Sequence, residues 1–139
     1  MRYHTSVHVN APLAHVWAVL TDVARWPEWT PSVREVRRLD GGPLAVGSRT
    51  RIHQPRLPAA VWRVTELAEQ QGFTWQTVSG GVTTVAGHRL AAADDGVTVT
   101  FSIEQTGLLA PLVGLLTAGL TRKYVDMEAR GLRQRCTGG

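Results

Sequence analysis

Five histidines are the side chains of this 139-residue chain best suited to acid–base chemistry, because histidine titrates near neutral pH. They are scattered, and none has an obvious carboxylate partner by sequence spacing. His4 and His8 share one face of a predicted strand, but four residues of strand separate them by about 13 Å, too far for two ligands of one metal ion. The single cysteine, Cys136, lies near the C-terminus and belongs to no metal-binding motif. We therefore predict no metal site and no cofactor.

Two residues of the chain are candidates for proton transfer. His88 lies in a predicted strand over residues 82–92, where it shares a face with Thr84 and Ala86. A histidine in an apolar cavity can exchange protons near neutral pH or hydrogen-bond a ligand carbonyl. A buried histidine can equally be satisfied by a neighbouring hydroxyl or backbone group. Tyr124 lies on the apolar stripe of a long predicted helix, where its hydroxyl requires a partner or a ligand.

Composition and charge narrow the class of protein. The apolar fraction, 43%, and the charged fraction, 19%, are those of one globular domain with a hydrophobic core. The net charge of +4 comes mainly from dispersed arginines without a recognition helix or an RNA-binding aromatic strand, so we do not expect nucleic acid as a partner. The N-terminal residues alternate instead of forming the apolar run of a signal peptide, so we expect a cytoplasmic protein.

The order of the predicted elements defines the fold class. An alternating strand over residues 3–9 leads into a short helix with Asn10 as its cap and Pro12 in its first turn, and a second short helix follows. About six strands joined largely by short turns come next, then one long helix over residues 108–134. We predict an α+β fold in which a curved antiparallel sheet of about seven strands surrounds the long helix and leaves a cavity.

Two unusual segments interrupt this pattern. Residues 26–31, WPEWTP, cannot form the middle of a helix, because each proline pushes the preceding residue out of the helical region. We predict a rigid aromatic connector that covers either the core or the mouth of the cavity. Residues 111–120 are apolar nearly all round, yet too short to span a bilayer, which takes roughly 20 residues. We therefore predict no stable membrane insertion.

Several sequence blocks, in this order, resemble the polyketide cyclase/dehydrase branch of the START-like, or SRPBCC, superfamily. They are VNAPLAHVWAVLTDVARWPEWTPSVREVR, VGSRTRIHQP, VWRVTEL, FTWQTVSGGV and GHRL, followed by the leucine-rich C-terminal helix. The resemblance implies one START-like domain over residues 1–139, with the helix-grip fold of the birch pollen allergen and a cavity for apolar ligands. The resemblance does not assign catalytic residues to this sequence, because the reacting residues differ among subfamilies.

The resemblance also implies that His88 points into the cavity. Trp62 and Trp75, on central strands, would form flat walls for a ring-shaped or acyl ligand, or would pack the core. Gln54 would supply a polar group, and Trp29 is the connector tryptophan expected to touch a ligand. The rest of the predicted site consists of Tyr124 as the second catalytic residue and Thr84, Phe101, Leu116 and Leu120 as ligand contacts.

Three functions remain open from the sequence. The leading one is binding of a polyketide- or lipid-like molecule by a cyclase or dehydratase, a lyase in which His88 or Tyr124 moves protons at enolising carbons. The second is a non-catalytic carrier or sensor of hydrophobic ligands, and the third is an interaction module or homodimer that uses residues 111–120. Polar groups that converge in the cavity would favour the enzyme, and a wholly apolar cavity would favour the carrier. An exposed patch over Leu112, Leu115 and Leu116 would favour the interaction module.

Overall fold

The computed structural model describes residues 1–138, which form one antiparallel sheet, two short helices and a long C-terminal helix. The strands are β1 (Arg2–Val9), β2 (Glu35–Arg38), β3 (Arg49–His53), β4 (Ala60–Ala68), β5 (Gly72–Ser79), β6 (Val82–Ala93) and β7 (Gly96–Thr106). The helices are α1 (Leu13–Thr21), a 3₁₀ helix (Val23–Glu28) and α2 (Ala110–Thr137). The predicted helix-grip fold is confirmed.

The sheet is a meander whose last strand also pairs with the first. Its order is β1-β7-β6-β5-β4-β3-β2, and every neighbouring pair is antiparallel. The turn between β5 and β6 holds Gly80 and Gly81 at φ of 56° and 79°. A tight hairpin turn of this kind needs positive φ at both central residues, which glycine adopts without steric strain.

The long helix faces the sheet with only part of the predicted stripe, which includes Val113 and Tyr124. We predicted an inner stripe that included Leu116 and Leu120. Leu116 is instead 75% exposed, and Leu120 lies outside the buried set. The N-terminal half of α2 turns small residues inward, because Gly114 approaches the side chain of Met1 so closely that a Cβ would lie 2.9 Å from it. Tyr124 does lie on the buried side.

The aromatic connector fixes the C-terminal half of α2. Trp26 is 2% exposed and donates its indole N–H to the Leu20 carbonyl at 3.0 Å, so it closes the core beside the short helices. Gly131 of α2 lies directly against the backbone of Trp29, where a Cβ would overlap the Trp29 carbonyl oxygen. Outside this contact, Arg135 forms an ion pair with Glu28 at 2.7 Å. The connector is therefore an anchor for the helix as well as a cover for the core.

Candidate functional site

A cavity of about 390 Å³ lies between α2 and the concave face of the sheet. This volume is within the range of pockets that hold small organic ligands, roughly 300–1,000 Å³. Its lining includes exposed Pro58 of the β3–β4 loop, Ser79 at the end of β5 and Gly80 of the β5–β6 turn, which place the opening at that end. The buried end lies against Trp26 and the core.

Strand register arranges the cavity floor in three rows across β5, β6 and β7. Because side chains alternate along a strand, every second residue faces the cavity and directly opposed residues stand side by side. Starting at the opening, the rows are Thr77–Thr84–Gln105, then Trp75–Ala86–Ile103, then His88–Phe101. Phe73 extends the last row on β5, where it stacks on the His88 ring without lining the cavity. The predicted face of residues 82–92 is correct, and His88 lies in the deepest of these rows.

His88 is enclosed by aromatic rings. It is 2% exposed, stacks on Phe73 with ring centroids 4.2 Å apart, and meets Trp26, Trp75 and Phe101 edge-on at 5.6–5.8 Å. Its Nδ1 lies 3.1 Å from the Phe73 carbonyl oxygen. Because a carbonyl only accepts, Nδ1 carries the proton and donates it, and Nε2 keeps a free lone pair.

The pKa of His88 is far from neutrality. Burial disfavours the imidazolium form and lowers the pKa to about 4, although the Phe73 carbonyl raises it in part. The pKa of His88 therefore lies below the near-neutral value of an ordinary histidine. The residue is a neutral hydrogen-bond acceptor at physiological pH. The alternative that a buried histidine hydrogen-bonds to a backbone group is correct for Nδ1, which bonds to the Phe73 carbonyl, but not for Nε2.

Glu128 is the functional candidate that sequence reasoning missed. Glu128 lines the same cavity from α2, and burial raises the pKa of its carboxyl to about 8 while an interaction with the Ser32 hydroxyl lowers it in part. The side chain keeps some accessible surface because it borders the cavity. Glu128 follows Tyr124 by four residues and so shares its helix face. This spacing is the sequence feature that could have predicted Glu128 as a cavity residue.

The hydroxyl of Tyr124 is already engaged. It donates a hydrogen bond to the carbonyl oxygen of Pro55 in the β3–β4 loop, whose residues Leu57 and Pro58 border the opening. The predicted role of Tyr124 in proton transfer therefore competes with a structural bond. The side chain acts as a tie between the helix and the loop beside the opening.

Replacing Tyr124 with phenylalanine tests this tie. We expect Tyr124→Phe to lower the free energy of unfolding by about 1 kcal/mol, because the Pro55 carbonyl loses its partner. We also expect faster ligand dissociation, since the loop is no longer held to α2. Stopped-flow tryptophan fluorescence would measure the dissociation rate of an aromatic ketone such as acetonaphthone. An unchanged dissociation rate with slower proton exchange at the ketone would instead restore Tyr124 as a proton-transfer residue.

The other predicted site residues divide into two groups. Gln54, Trp62, Trp75, Thr84 and Phe101 line the cavity. The structure does not bring Trp29, Leu116 or Leu120 to it. Trp29 packs on Gly131 of α2, and Trp26 takes the place in the cavity wall expected of Trp29.

Over residues 1–138, no group of three or more histidine, cysteine, aspartate or glutamate side chains could hold a metal ion. Burial raises the pKa of the Cys136 thiol to about 11, which keeps it protonated. None of the helices within these residues is both long and apolar enough to cross a membrane.

The first turns of α2 expose an apolar patch. Leu112, Leu115 and Leu116 are 55%, 81% and 75% exposed, and the adjoining Leu108 and Leu109 are exposed as well. Leu109 contacts Gly81 in the β5–β6 turn, so the patch lies next to the opening of the cavity. We refer to these five leucines as the leucine patch. Such a patch is the feature that we expected of a protein with a binding partner.

The chain has a seven-stranded antiparallel sheet wrapped around a C-terminal helix, with a cavity between them. This arrangement defines the helix-grip class of proteins. The family model described as polyketide cyclase/dehydrase and lipid transport matches residues 1–137, and the chain belongs to this family, a member of the SRPBCC superfamily. No curated protein matches the sequence.

Solved structures show the same fold at low sequence identity. A START superfamily protein from Mycobacterium smegmatis has a TM-score of 0.75 at 16% identity, with 98% of this chain and 99% of that chain covered. Ara h 8.0201 has a TM-score of 0.67 at 11% identity, with 95% and 97% covered. DynU16, from the dynemicin biosynthetic locus, has a TM-score of 0.68 at 21% identity over 99% of this chain and 48% of that chain.

Proposed function

We propose that the protein binds a largely apolar, polyketide-like molecule in its cavity and promotes enolisation and cyclisation of that molecule by acid–base chemistry. The observation that carries the proposal is that His88 and Glu128 line one cavity with pKa values displaced in opposite directions, to about 4 and about 8. Near neutral pH the first is an unprotonated base and the second a protonated acid. Paired titratable groups whose surroundings displace their pKa values are typical of acid–base catalysis.

The first step moves two protons. The protonated carboxyl of Glu128 donates its proton to a ligand carbonyl oxygen, while Nε2 of His88 accepts a proton from the adjacent carbon. The electron pair of that C–H bond becomes the C=C bond of an enol, and the carbonyl π pair takes the proton from Glu128. The step leaves an imidazolium and a carboxylate, whose opposite charges stabilise each other in the apolar cavity.

The second step closes a ring and restores both residues. The enol carbon attacks another carbonyl carbon of the same folded chain and forms a C–C bond. The oxygen of the attacked carbonyl takes the proton from the His88 imidazolium, and the enol O–H returns its proton to Glu128. The flat walls formed by Trp62 and Trp75 support the proposal, because they would hold the chain in a single folded conformation.

Proton exchange at a simple ketone tests the first step. Acetonaphthone carries an aromatic body and one enolisable methyl group, and its exchange in deuterated water can be followed by proton NMR. We expect catalysed exchange that falls about 100-fold in His88→Gln and in Glu128→Gln, the size typical of removing an acid or a base. The rate should be level between pH about 4 and about 8, because His88 gains a proton below this range and Glu128 loses one above it.

A matched control and the carrier alternative complete this test. Thr83→Val alters β6 outside the set of residues that line the cavity and should leave the exchange rate unchanged. Binding of acetonaphthone without any catalysed exchange would reject the enzyme and establish the carrier or sensor. The Gln54 side chain and the threonines of the cavity favour the enzyme, because we expected a carrier to have a wholly apolar cavity.

A second proposal, the homodimer, is favoured by the leucine patch. These leucines carry no charge and lie together just before α2 and on its first turns, so a second copy would cover them. Sedimentation of wild type and of Leu115→Gln at several concentrations decides the question, since only a dimer held by this patch becomes monomeric in the variant.

Location in the cytoplasm likewise stays a prediction from the sequence.

A further inference from the structure

The aromatic connector lies against α2 one helical turn from the proposed acid, Glu128. Gly131 of α2 meets the backbone of Trp29 so closely that a Cβ would overlap its carbonyl oxygen. Glu128 precedes Gly131 by three residues and therefore lies on the same side of the helix. The hydroxyl of Ser32, the first residue after the connector, hydrogen-bonds to the Glu128 carboxyl. The chain that anchors α2 thus also contacts the carboxyl.

Two hydroxyls beside this carboxyl are fully withdrawn from solvent. Thr30 and Ser32 are both 0% exposed, and neither belongs to the residues that line the cavity. Their hydroxyl oxygens are 2.6 Å apart, and the backbone N–H of Ser32 lies 3.4 Å from the hydroxyl oxygen of Thr30. The two hydroxyls therefore form a short hydrogen-bond chain, which begins at Thr30 and ends at Glu128.

The direction of this chain follows from which atoms can accept. Within residues 1–138, the Thr30 hydroxyl bonds to Ser32 alone. If Ser32 donated its proton to Thr30, the Thr30 proton would have no acceptor, and a buried donor would be unsatisfied. Thr30 therefore donates to Ser32, and Ser32 donates to an oxygen of Glu128. The effect of Ser32 on the Glu128 pKa agrees, since a donated bond favours the carboxylate and lowers the pKa.

We propose that Ser32 and Thr30 are positioning residues, which hold one oxygen of the Glu128 carboxyl and thereby direct the proton on its other oxygen into the cavity. A protonated carboxyl carries its proton on one oxygen, and the other oxygen is the better acceptor. The oxygen bonded to Ser32 is therefore the unprotonated one, and the proton lies on the oxygen that can meet a ligand carbonyl. This inference rests on the proposed function, since it assumes that Glu128 is the acid.

The other titratable groups around Glu128 leave this role to the two hydroxyls. His88 of β6 and Tyr124 of α2 are the titratable residues that line the cavity with it. The titratable groups of the connector and of β1, β6, β7 and α1, which pack against α2, lie outside the cavity lining and are paired or exposed. They are the pairs Arg2–Glu104, Tyr3–Asp126, Arg25–Asp22 and Glu28–Arg135, and the exposed His4, His8, His15, Arg34 and Arg89.

Carbon-13 NMR of protein labelled at the glutamate carboxyl carbon tests this role without any catalysed reaction, and comparison with Glu128→Gln assigns the signal. In Ser32→Ala we expect the pKa of Glu128 to lie about one unit above its wild-type value of about 8, because the carboxylate loses a donor. Thr30→Val should give a smaller rise, since Ser32 is then less firmly oriented. Thr30→Ser keeps the hydroxyl and should match wild type.

The exchange of acetonaphthone protons connects this bond with the proposed reaction. In Ser32→Ala the upper edge of the level pH range should rise together with the pKa of Glu128, and the lower edge, set by His88, should stay in place. The level rate should fall about tenfold, because the proton is no longer directed at the ligand. Thr50→Val is the matched control. It removes a buried hydroxyl from β3, away from the cavity lining, and should change neither measurement.

The outcomes separate the positioning role from the proposed function. An unchanged pKa of Glu128 in Ser32→Ala would overturn the positioning role. A lowered pKa would overturn it as well, because Ser32 would then accept the carboxyl proton and turn it away from the cavity. If Ser32→Ala does not fold, Thr30→Val decides by the same two criteria. The expected pKa changes without catalysed exchange in wild type would reject the proposed function and leave the orientation of the Glu128 proton in place.

Discussion

Glu128→Gln is expected to stabilise the protein near neutral pH by about 3 kcal/mol, although it removes a proposed catalytic group. The pKa of Glu128 is about 8 in the folded protein and 4.5 in its ordinary state. Between these values the folded state holds a proton that the unfolded state has released, so each rise in pH favours unfolding. Glutamine has nearly the same shape and never ionises, so the variant escapes this loss of stability.

Urea unfolding of both proteins across this pH range measures the effect. The two free energies of unfolding should be similar near pH 4.5 and should diverge as the pH rises towards 8. His88 has the opposite dependence, because its lowered pKa makes stability fall as the pH drops from 6.5 towards about 4. This contribution is the same in both proteins, so their difference isolates Glu128.

A control variant guards against a general effect of charge. Glu69 lies in the exposed turn between β4 and β5, and Glu69→Gln also removes one carboxyl. We expect this variant to follow the wild-type pH profile. If Glu128→Gln and wild type differ by a constant amount at every pH, the carboxyl of Glu128 does not hold its proton in the folded state, and the proposed acid is lost with it.

Trp26→Ala is expected to have the largest effect on folding, a loss of about 3–5 kcal/mol in the free energy of unfolding. Trp26 is 2% exposed and contacts the rings of Trp29, Trp75 and His88 at centroid distances of 5.4–5.6 Å. Alanine would leave a void at the buried end of the cavity and free the Leu20 carbonyl of its partner. Chemical unfolding measures the loss.

Trp26→Phe shows whether the ring volume or the indole N–H of Trp26 contributes more to stability, and Trp17→Ala is the comparison at a partly buried tryptophan. Trp26→Phe keeps most of the apolar volume and loses the indole N–H, so we expect a smaller loss of about 1–2 kcal/mol. Trp17→Ala, in the partly buried face of α1, should cost less than Trp26→Ala. A Trp26→Ala protein as stable as Trp17→Ala would show that the connector is a cover alone and does not support the core.

The fold was predictable because local signals and the global pattern agree. Alternation in β1, β6 and β7, glycine turns between strands and one long terminal helix leave few arrangements other than a meander around the helix. The inward direction of His88 followed from the same alternation together with the family resemblance. These features depend on residue types at fixed periods, which a single sequence displays directly.

The cavity side of α2 could not be predicted in the same way. Its first half is apolar nearly all round, so the rotation of the helix is decided by close approaches such as Gly114 to Met1 and Gly131 to Trp29. These contacts join residues far apart in sequence. The same limit applies to the connector, where proline fixes the backbone but does not decide whether Trp26 or Trp29 faces the cavity.

The uneven attachment of α2 has a consequence for how the cavity exchanges its contents. Its second half is held by Gly131 against the connector, by the pair of Arg135 and Glu28, and by fully buried Leu132. Its first half buries little more than Ala110 and Gly114 and exposes the leucine patch. Local opening is easiest where few apolar contacts must be broken. We therefore expect α2 to open locally at its N-terminal half, beside the opening of the cavity, while its C-terminal half stays packed on the core.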